Sequence, residues 1–296
     1  MNESAPRVID LGNMTVTLLD GGRLRLDGGA MFGIIPRPLW ERQTPADERH
    51  RIPLACNCLL VEWRGERDRR VIIETGHGEK YGAKEQAIYA IDPGRWLVSG
   101  LARAGVEPES ITDVIVTHLH FDHAGGLTRL GGDRVVPTFP NATVHVQRRE
   151  YDDARCGLGI MTATYRDENL RPLEEAERWN LIEGEPEIAP GIRPLLTPGH
   201  TRGHQAVLIR GRDGTVVFPG DVMPTAAHVG APYNMAYDLF PLDNRESKNR
   251  VLRQAANEGW LIVLDHEPNT PVMRAQIEKT WYGLVPAEEP GGVSQS

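Results

Sequence analysis

The run HLHFDHAGG at residues 118–126 places three histidines and an aspartate within six positions, directly after the apolar segment DVIVT at 113–117. DVIVT is short, β-branched and uncharged after its first residue, which is the pattern of a buried strand. On an extended stretch, side chains two apart project to one side. His118, His120 and Asp122 therefore share a face, and a turn at Asp122 brings His123 round beside them. Ten histidines in the chain make some clustering ordinary, but a chance polar loop does not set three of them flush against the end of a strand with Gly-Gly following. Imidazole and carboxylate together suit zinc and its neighbours. A single ion would not use all four comfortably, so the run points to two ions close together that share ligands from farther along the chain.

Three such ligands stand at comparable places. His200 closes LLTPGH at 195–200, Asp221 closes FPGD at 218–221, and His266 follows LIVLD at 261–265. Each comes after a short apolar segment expected to be a strand, at 192–197, 215–219 and 261–264. Alone, a Gly-His or Gly-Asp after a strand is usually a turn. With the 118–123 run they supply the distant donors that a two-metal site needs.

Together, HLHFDH, PGH at 198–200, GD at 220–221 and the late His266 resemble the metallo-β-lactamase superfamily of metal-dependent hydrolases, over roughly residues 14–267. The resemblance implies an α+β fold, a four-layer αββα sandwich with the metals at one edge of the packed sheets. It implies two Zn2+ per chain: His118, His120 and His200 on one ion, Asp122, His123 and His266 on the other, and Asp221 between them. Diiron redox members resemble a pattern with Glu in place of His120 and carry a flavin domain, and persulfide-oxidising members use one iron. The complete set here is similar to dinuclear hydrolases, in particular the quorum-signal lactonases. Two departures stand out. The supporting Asp-Thr-Gly of the family is Glu74-Thr75-Gly76, and the Tyr that lactonases place shortly after the bridging Asp is replaced by Val222-Met223-Pro224.

The remaining sequence bounds the partners. The chain has 296 residues, 40% hydrophobic and 25% charged, with 33 Lys plus Arg against 41 Asp plus Glu and a net charge of −8. That balance fits a folded protein with a small-molecule substrate, and it lacks the basic stripe that nucleic acid or a membrane surface would require. No apolar run is long enough to span a membrane and the start lacks a secretory pattern, so the expected compartment is the cytoplasm. Cys56 and Cys58 lie two apart in an expected strand and read as buried structural thiols.

Residues 14–19 and 23–27 alternate around Asp20-Gly21-Gly22, which predicts a hairpin. Strands are expected at 56–63, 70–74, 143–147 and 205–210, and helices at 93–104, 148–154, 172–179, 245–258 and 271–282. Residues 28–40 and 228–240 hold too much Gly and Pro for regular structure. No composition break divides the chain, which predicts one domain over 1–285 and a polar tail at 286–296.

Two cations roughly 3.5 to 4 Å apart can lower the pKa of a shared water from about 15.7 towards 7. The expected reaction is therefore attack by a hydroxide bridging two zinc ions on a lactone or related carboxylic ester, with Asp122 and Asp221 as the catalytic carboxylates. A phosphoester hydrolase of the same superfamily and a mononuclear-iron oxidoreductase are the alternatives. Met31, Phe32, His228, Tyr233 and Tyr237 are the candidate substrate-binding residues, with Ile34, Trp40, Met223 and Met235 as further apolar candidates. The loops at 28–40 and 228–241 are also candidates for a homodimer contact.

Overall fold

In a computed structural model describing residues 6–66, 68–157 and 162–287, the alternation of the first segments resolves into long paired strands. The chain runs through β1 (Val8–Asp10), β2 (Met14–Asp27), two short helices α1 (Gly28–Phe32) and α2 (Arg37–Trp40), β3 (Arg51–Trp63) and β4 (Arg70–Ile73). Helices α3 (Ala83–Tyr89) and α4 (Leu97–Arg103) lead to β5 (Asp113–Ile115), then to α5 (Phe121–Ala124) and the hairpin β6 (Thr128–Gly131) and β7 (Arg134–Pro137). β8 (Thr143–Gln147), α6 (Arg148–Cys156), α7 (Asp167–Glu175) and β9 (Trp179–Ile182) complete the first half. The second half holds β10 (Ile192–Leu196), β11 (Gln205–Arg210), β12 (Thr215–Phe218), α8 (Pro241–Glu258), β13 (Leu261–Val263), β14 (Val272–Glu278) and β15 (Trp281–Pro286).

Among the described residues these strands form two large sheets, ordered β1-β2-β3-β4-β5-β8-β9 and β10-β11-β12-β13-β14-β15. Period-2 alternation assigns the layers. Leu59, Val61, Ile73 and Ile115 of the first sheet meet Val207, Ile209, Val216 and Phe218 of the second in one buried cluster. Their neighbours Leu60, Ile72 and Val114 turn outward onto Leu97 and Leu101 of α4 and Leu170 and Leu173 of α7. Ala206, Leu208 and Val217 turn the other way onto Val251, Leu252 and Ala255 of α8. The result is the expected α+β sandwich of layers αββα.

Several local expectations are corrected. Residues 14–27 form one strand rather than a hairpin: the register passes from Asp20 opposite Asn57 to Arg23 opposite Ala55, so Gly21 and Gly22 bulge against Cys56. The two glycines serve close approach. A Cβ on Gly21 would lie 2.5 Å from Cys58 Sγ, and one on Gly22, at φ +117°, would lie 2.0 Å from His77 Nε2. Residues 272–286 form the β14–β15 hairpin rather than a helix, because pairing with β13, Ile262 opposite Met273, overrides the helical preference of Met, Ala, Gln and Glu. The helix expected at 172–179 begins at Asp167, carries Pro172 internally and ends at Glu175, and Trp179 opens β9. Residues 28–40, expected to be irregular, hold α1, whose first turn is capped by Asp27 accepting from the Ala30 N–H at 2.8 Å. Pro286 still pairs with Met273, and Ala287 donates to Val272 O. Of the expected tail, residues 288–296 lie outside the described residues.

Candidate metal centre

The strand ends that carry the sequence motifs gather at one edge of the sandwich. His118 follows β5, His200 follows β10, Asp221 sits in a short turn after β12, and His266 follows β13. All seven expected ligands are buried there. The 118–123 run is extended as far as His120 and then turns into α5, whose first amide bonds close back on His120 O from His123 and Ala124. Gly125 lets the 74–78 loop lie against this turn, since a Cβ there would come 2.1 Å from His77 O. Thr75 anchors that loop by donating from its N–H and Oγ1 to His123 O.

Asp221 is the centre of the arrangement. Its Oδ2 lies 3.1 Å from His200 Nε2 and 3.9 Å from His118 Nε2, while Oδ1 lies 3.3 Å from His266 Nε2 and 3.6 Å from His123 Nε2. One carboxylate thus faces two groups of imidazoles with different oxygens. The donor atoms of His118, His120, His200 and Asp221 all lie within 4.8 Å of one another, and so do those of His123, Asp221, Asp265 and His266. Asp122 faces the second group more loosely, 3.6 Å from His266 Nε2 and 3.9 Å from His123 Nε2. Asp265, adjacent to His266 in LIVLDH, is the donor that the motif reading missed.

Donors this close and this dry need a cation. His118 Nε2 and Asp221 Oδ1 are buried without any hydrogen-bond partner, His120 Nδ1 and His200 Nε2 face each other at 3.0 Å, and His123 Nε2 and His266 Nε2 do so at 3.2 Å. Orphaned buried donors and acceptors are costly in a protein interior, so the donor set fits two divalent ions. Electrostatics agree. Burial and the neighbouring imidazoles hold His118 and His120 well below the ordinary histidine range. Burial also disfavours charge on His123 and His266, yet Asp221 with Glu74 and Asp122 around the first, and Asp265 with Asp221 around the second, outweigh it and push both well above that range. Against its own burial, the Asp221 carboxylate is held well below its ordinary range by His200, His123 and His266.

A further shell of side chains holds the rings. His200 Nδ1 is 2.9 Å from Asp238 Oδ1, His266 Nδ1 is 2.7 Å from Ala55 O, and His118 Nδ1 is 3.0 Å from Thr117 Oγ1. His204, kept neutral by burial at a pKa of about 3, accepts the Asp221 N–H at its Nε2. Glu150, fully buried, accepts from Leu119 N–H and Thr201 Oγ1 and so ties the 118–123 run to the loop of His200. Asp238, His204 and Glu150 were not legible as site residues, because each meets a partner distant in sequence.

A cavity of about 140 Å³ opens onto the cluster, with His120, Asp122, His200, Asp221 and His266 on its floor and Leu26, Met31, Tyr89, Phe121, Thr164, Met235 and Tyr237 on its walls. Of the expected substrate residues, Met31 and Tyr237 therefore reach the wall. Phe32, His228 and Tyr233 do not line it. Phe32 stacks on His228 at 4.6 Å and meets Tyr233 edge-on, forming the packing behind the wall. Trp40 joins that stack, Met223 packs beneath α8, and Ile34 is exposed; only Met235 of these further candidates lines the cavity. Among the described residues no Lys or Arg lines it.

Comparison with known proteins agrees with this geometry. The chain is 39% identical over 114 residues to an N-acyl homoserine lactonase of Bacillus cereus, a match that spans about two-fifths of either protein (38% of each). A probable metal-dependent hydrolase from Staphylococcus aureus superposes with a TM-score of 0.83 at 29% identity, covering 95% of this chain and 100% of that one. A quorum-quenching N-acyl homoserine lactone lactonase superposes at 0.67 and 26% identity, covering 88% of this chain and 95% of that one. Residues 51–266 match the metallo-beta-lactamase superfamily. With a match over most of its length, the αββα layers and the converging histidines and aspartates, this chain belongs to the metallo-β-lactamase superfamily of hydrolases.

Proposed function

We propose that the protein hydrolyses a lactone or related carboxylic ester with two zinc ions, one held by His118, His120 and His200, the other by Asp122, His123 and His266, and both by Asp221. The observation that carries this is the division of Asp221, one oxygen toward His200 and His118 and the other toward His266 and His123. When bound, such a pair of ions acidifies water and polarises a carbonyl. The chain supplies the rest. Asp122 and Asp265 compete for the second ion, and Asp122 is favoured because it stands on the cavity floor, where Asp265 does not. That position also lets Asp122 accept a proton from attacking water.

The wall supports an uncharged, partly apolar substrate: Leu26, Met31, Phe121 and Met235 offer apolar surface, and among the described residues no Lys or Arg lines the cavity to add to whatever charge the ions supply. The lactonase relatives support the same class, since the matched proteins carry that activity in their names. The test is a panel of lactones, carboxylic esters and chromogenic phosphoesters, offered to protein with its metal content measured. Acid release from lactones or esters at two zincs per chain is the expected outcome. Preferential phosphoester turnover, or one iron per chain, would select the alternatives. The reading also takes the chain as one catalytic unit, free in the cytoplasm. A homodimer through the 28–40 and 228–241 loops, where Ile34, Leu39 and Phe240 are exposed, is a further expectation, checked by light scattering.

A further inference from the structure

Asp238 lies on the loop between the turn at Ala226–Val229 and α8, with its side chain fully buried. Oδ1 is 2.9 Å from His200 Nδ1, and Oδ2 accepts from the Met235 N–H at 3.0 Å and from Asn244 Nδ2 at 3.0 Å. Two backbone bonds run alongside, Leu239 N–H to His200 O at 3.1 Å and Phe240 N–H to Gly199 O at 2.8 Å. The two loops touch backbone to backbone, for a Cβ on Gly199 would come 2.2 Å from Asn244 N. Two residues of the same loop, Met235 and Tyr237, form part of the cavity wall.

We infer that Asp238 is a positioning residue that sets the ring of His200 and the cavity wall together, so that the ligand edge and the substrate wall are one mechanical unit. This rests on the reading of His200 as a metal ligand and of the cavity as the substrate site. An imidazole that presents Nε2 to a cation must carry its proton on Nδ1, and a carboxylate that accepts this proton fixes both the tautomer and the ring rotation. Asp238 does this with one oxygen and commits the other to the amide of a wall residue. Asn244, on α8, holds that oxygen from the helix side. A shift of Met235 therefore pulls on the carboxylate that orients His200, and a shift of His200 pulls on the wall.

The experiment compares wild-type protein with Asp238→Asn and Asp238→Ala. It measures zinc affinity at each site by chelator competition, the absorbance of the cobalt-loaded protein, thermal unfolding, and KM and kcat on the best ester of the panel. Asp238→Asn keeps the shape and an acceptor for His200 Nδ1–H, so it decides the matter if the Ala variant does not fold. The expected result is a folded Asp238→Asn that binds one of its two ions about 10- to 100-fold more weakly, keeps the other at wild-type affinity, alters the cobalt spectrum and raises KM. Wild-type affinity at both sites, or equal weakening at both that merely tracks lost stability, would overturn the inference, as would an unchanged KM. A wild-type protein that binds two ions yet hydrolyses nothing on the panel would sink the hydrolase reading alone, and the metal measurements would still decide the role of Asp238.

Discussion

Glu74 Oε2 lies 3.4 Å from His123 Nδ1 while its other oxygen accepts the Thr117 N–H at 2.7 Å. The backbone at Glu74, the position where the resemblance leads one to expect Asp, takes φ +65°. Left-handed backbone at a non-glycine residue costs on the order of 1 kcal/mol, and here it lets one carboxylate brace both the strand end that carries His118 and the ring of His123. Glu74→Gln keeps the acceptor for Thr117 but removes the charge beside His123. It should weaken metal binding about 10- to 100-fold with a small change in unfolding temperature, as read by chelator competition. Unaltered affinity would show that Glu74 serves the backbone only.

Metal uptake should release protons. Without ions, His123 and His266 hold their protons well above the ordinary range, because Asp221 and its carboxylate neighbours favour the charged rings. A cation must displace those protons to reach Nε2, so affinity should fall as pH falls. Calorimetric titration of the stripped protein near pH 7 in buffers of different ionisation enthalpy should give heats that depend on the buffer. Buffer-independent heats would contradict protonated rings in the stripped site.

His228 gives a stability prediction away from the cluster. Burial lowers its pKa to about 4, and the neutral ring is held between Met31 O at 2.8 Å and Thr225 Oγ1 at 2.7 Å. The unfolded ring titrates near 6.5 and so binds more protons than the folded one between pH 6.5 and about 4. The stability it contributes is present above pH 6.5 and is lost as the pH falls towards 4, in an amount of about 3 kcal/mol for such a shift. Urea unfolding of wild type and His228→Gln should therefore give curves that converge over this interval. Parallel curves would mean that the ring does not stay neutral.

Lys248 is a buried cation used by the loop rather than by the chemistry. Its Nζ donates to the carbonyls of His228, Gly230 and Tyr233 at 2.9, 3.0 and 2.8 Å, and burial lowers its pKa to about 8. Lys248→Met should destabilise the protein by roughly 3 kcal/mol, because carbonyls lose their donor in a dry place. It should also raise KM more than it lowers kcat, since the loop leads into the wall at Met235 and Tyr237. Chemical denaturation and steady-state kinetics check the two halves separately.

How much of this was readable without coordinates follows from the range of each interaction. The spacing within HLHFDH is local: alternation along the extended residues presents His118 and His120 together, but the alternation expected to continue through Asp122 gives way to α5, and from that helix Asp122 faces His266 and His123 instead. His200, Asp221 and His266 were legible for a related reason, since each follows a short apolar strand and strands of one sandwich can end at a common edge. The bulge at Gly21-Gly22 and the hairpin at 272–286 were not, because composition leaves their conformation balanced and the partner strand settles it.

The chain's own pattern determined the layers and the seven converging donors, through two periodicities and a run of chemically matched side chains. Only the folded arrangement decided which polar residues serve them. Asp238 reaches His200 across 38 positions and Glu74 meets His123 across 49, and no local regularity records such pairs. It also decided that Met31 faces the cavity while its neighbour Phe32 turns away to stack on His228, because in a helix consecutive side chains point about 100° apart and packing on every side chooses between them.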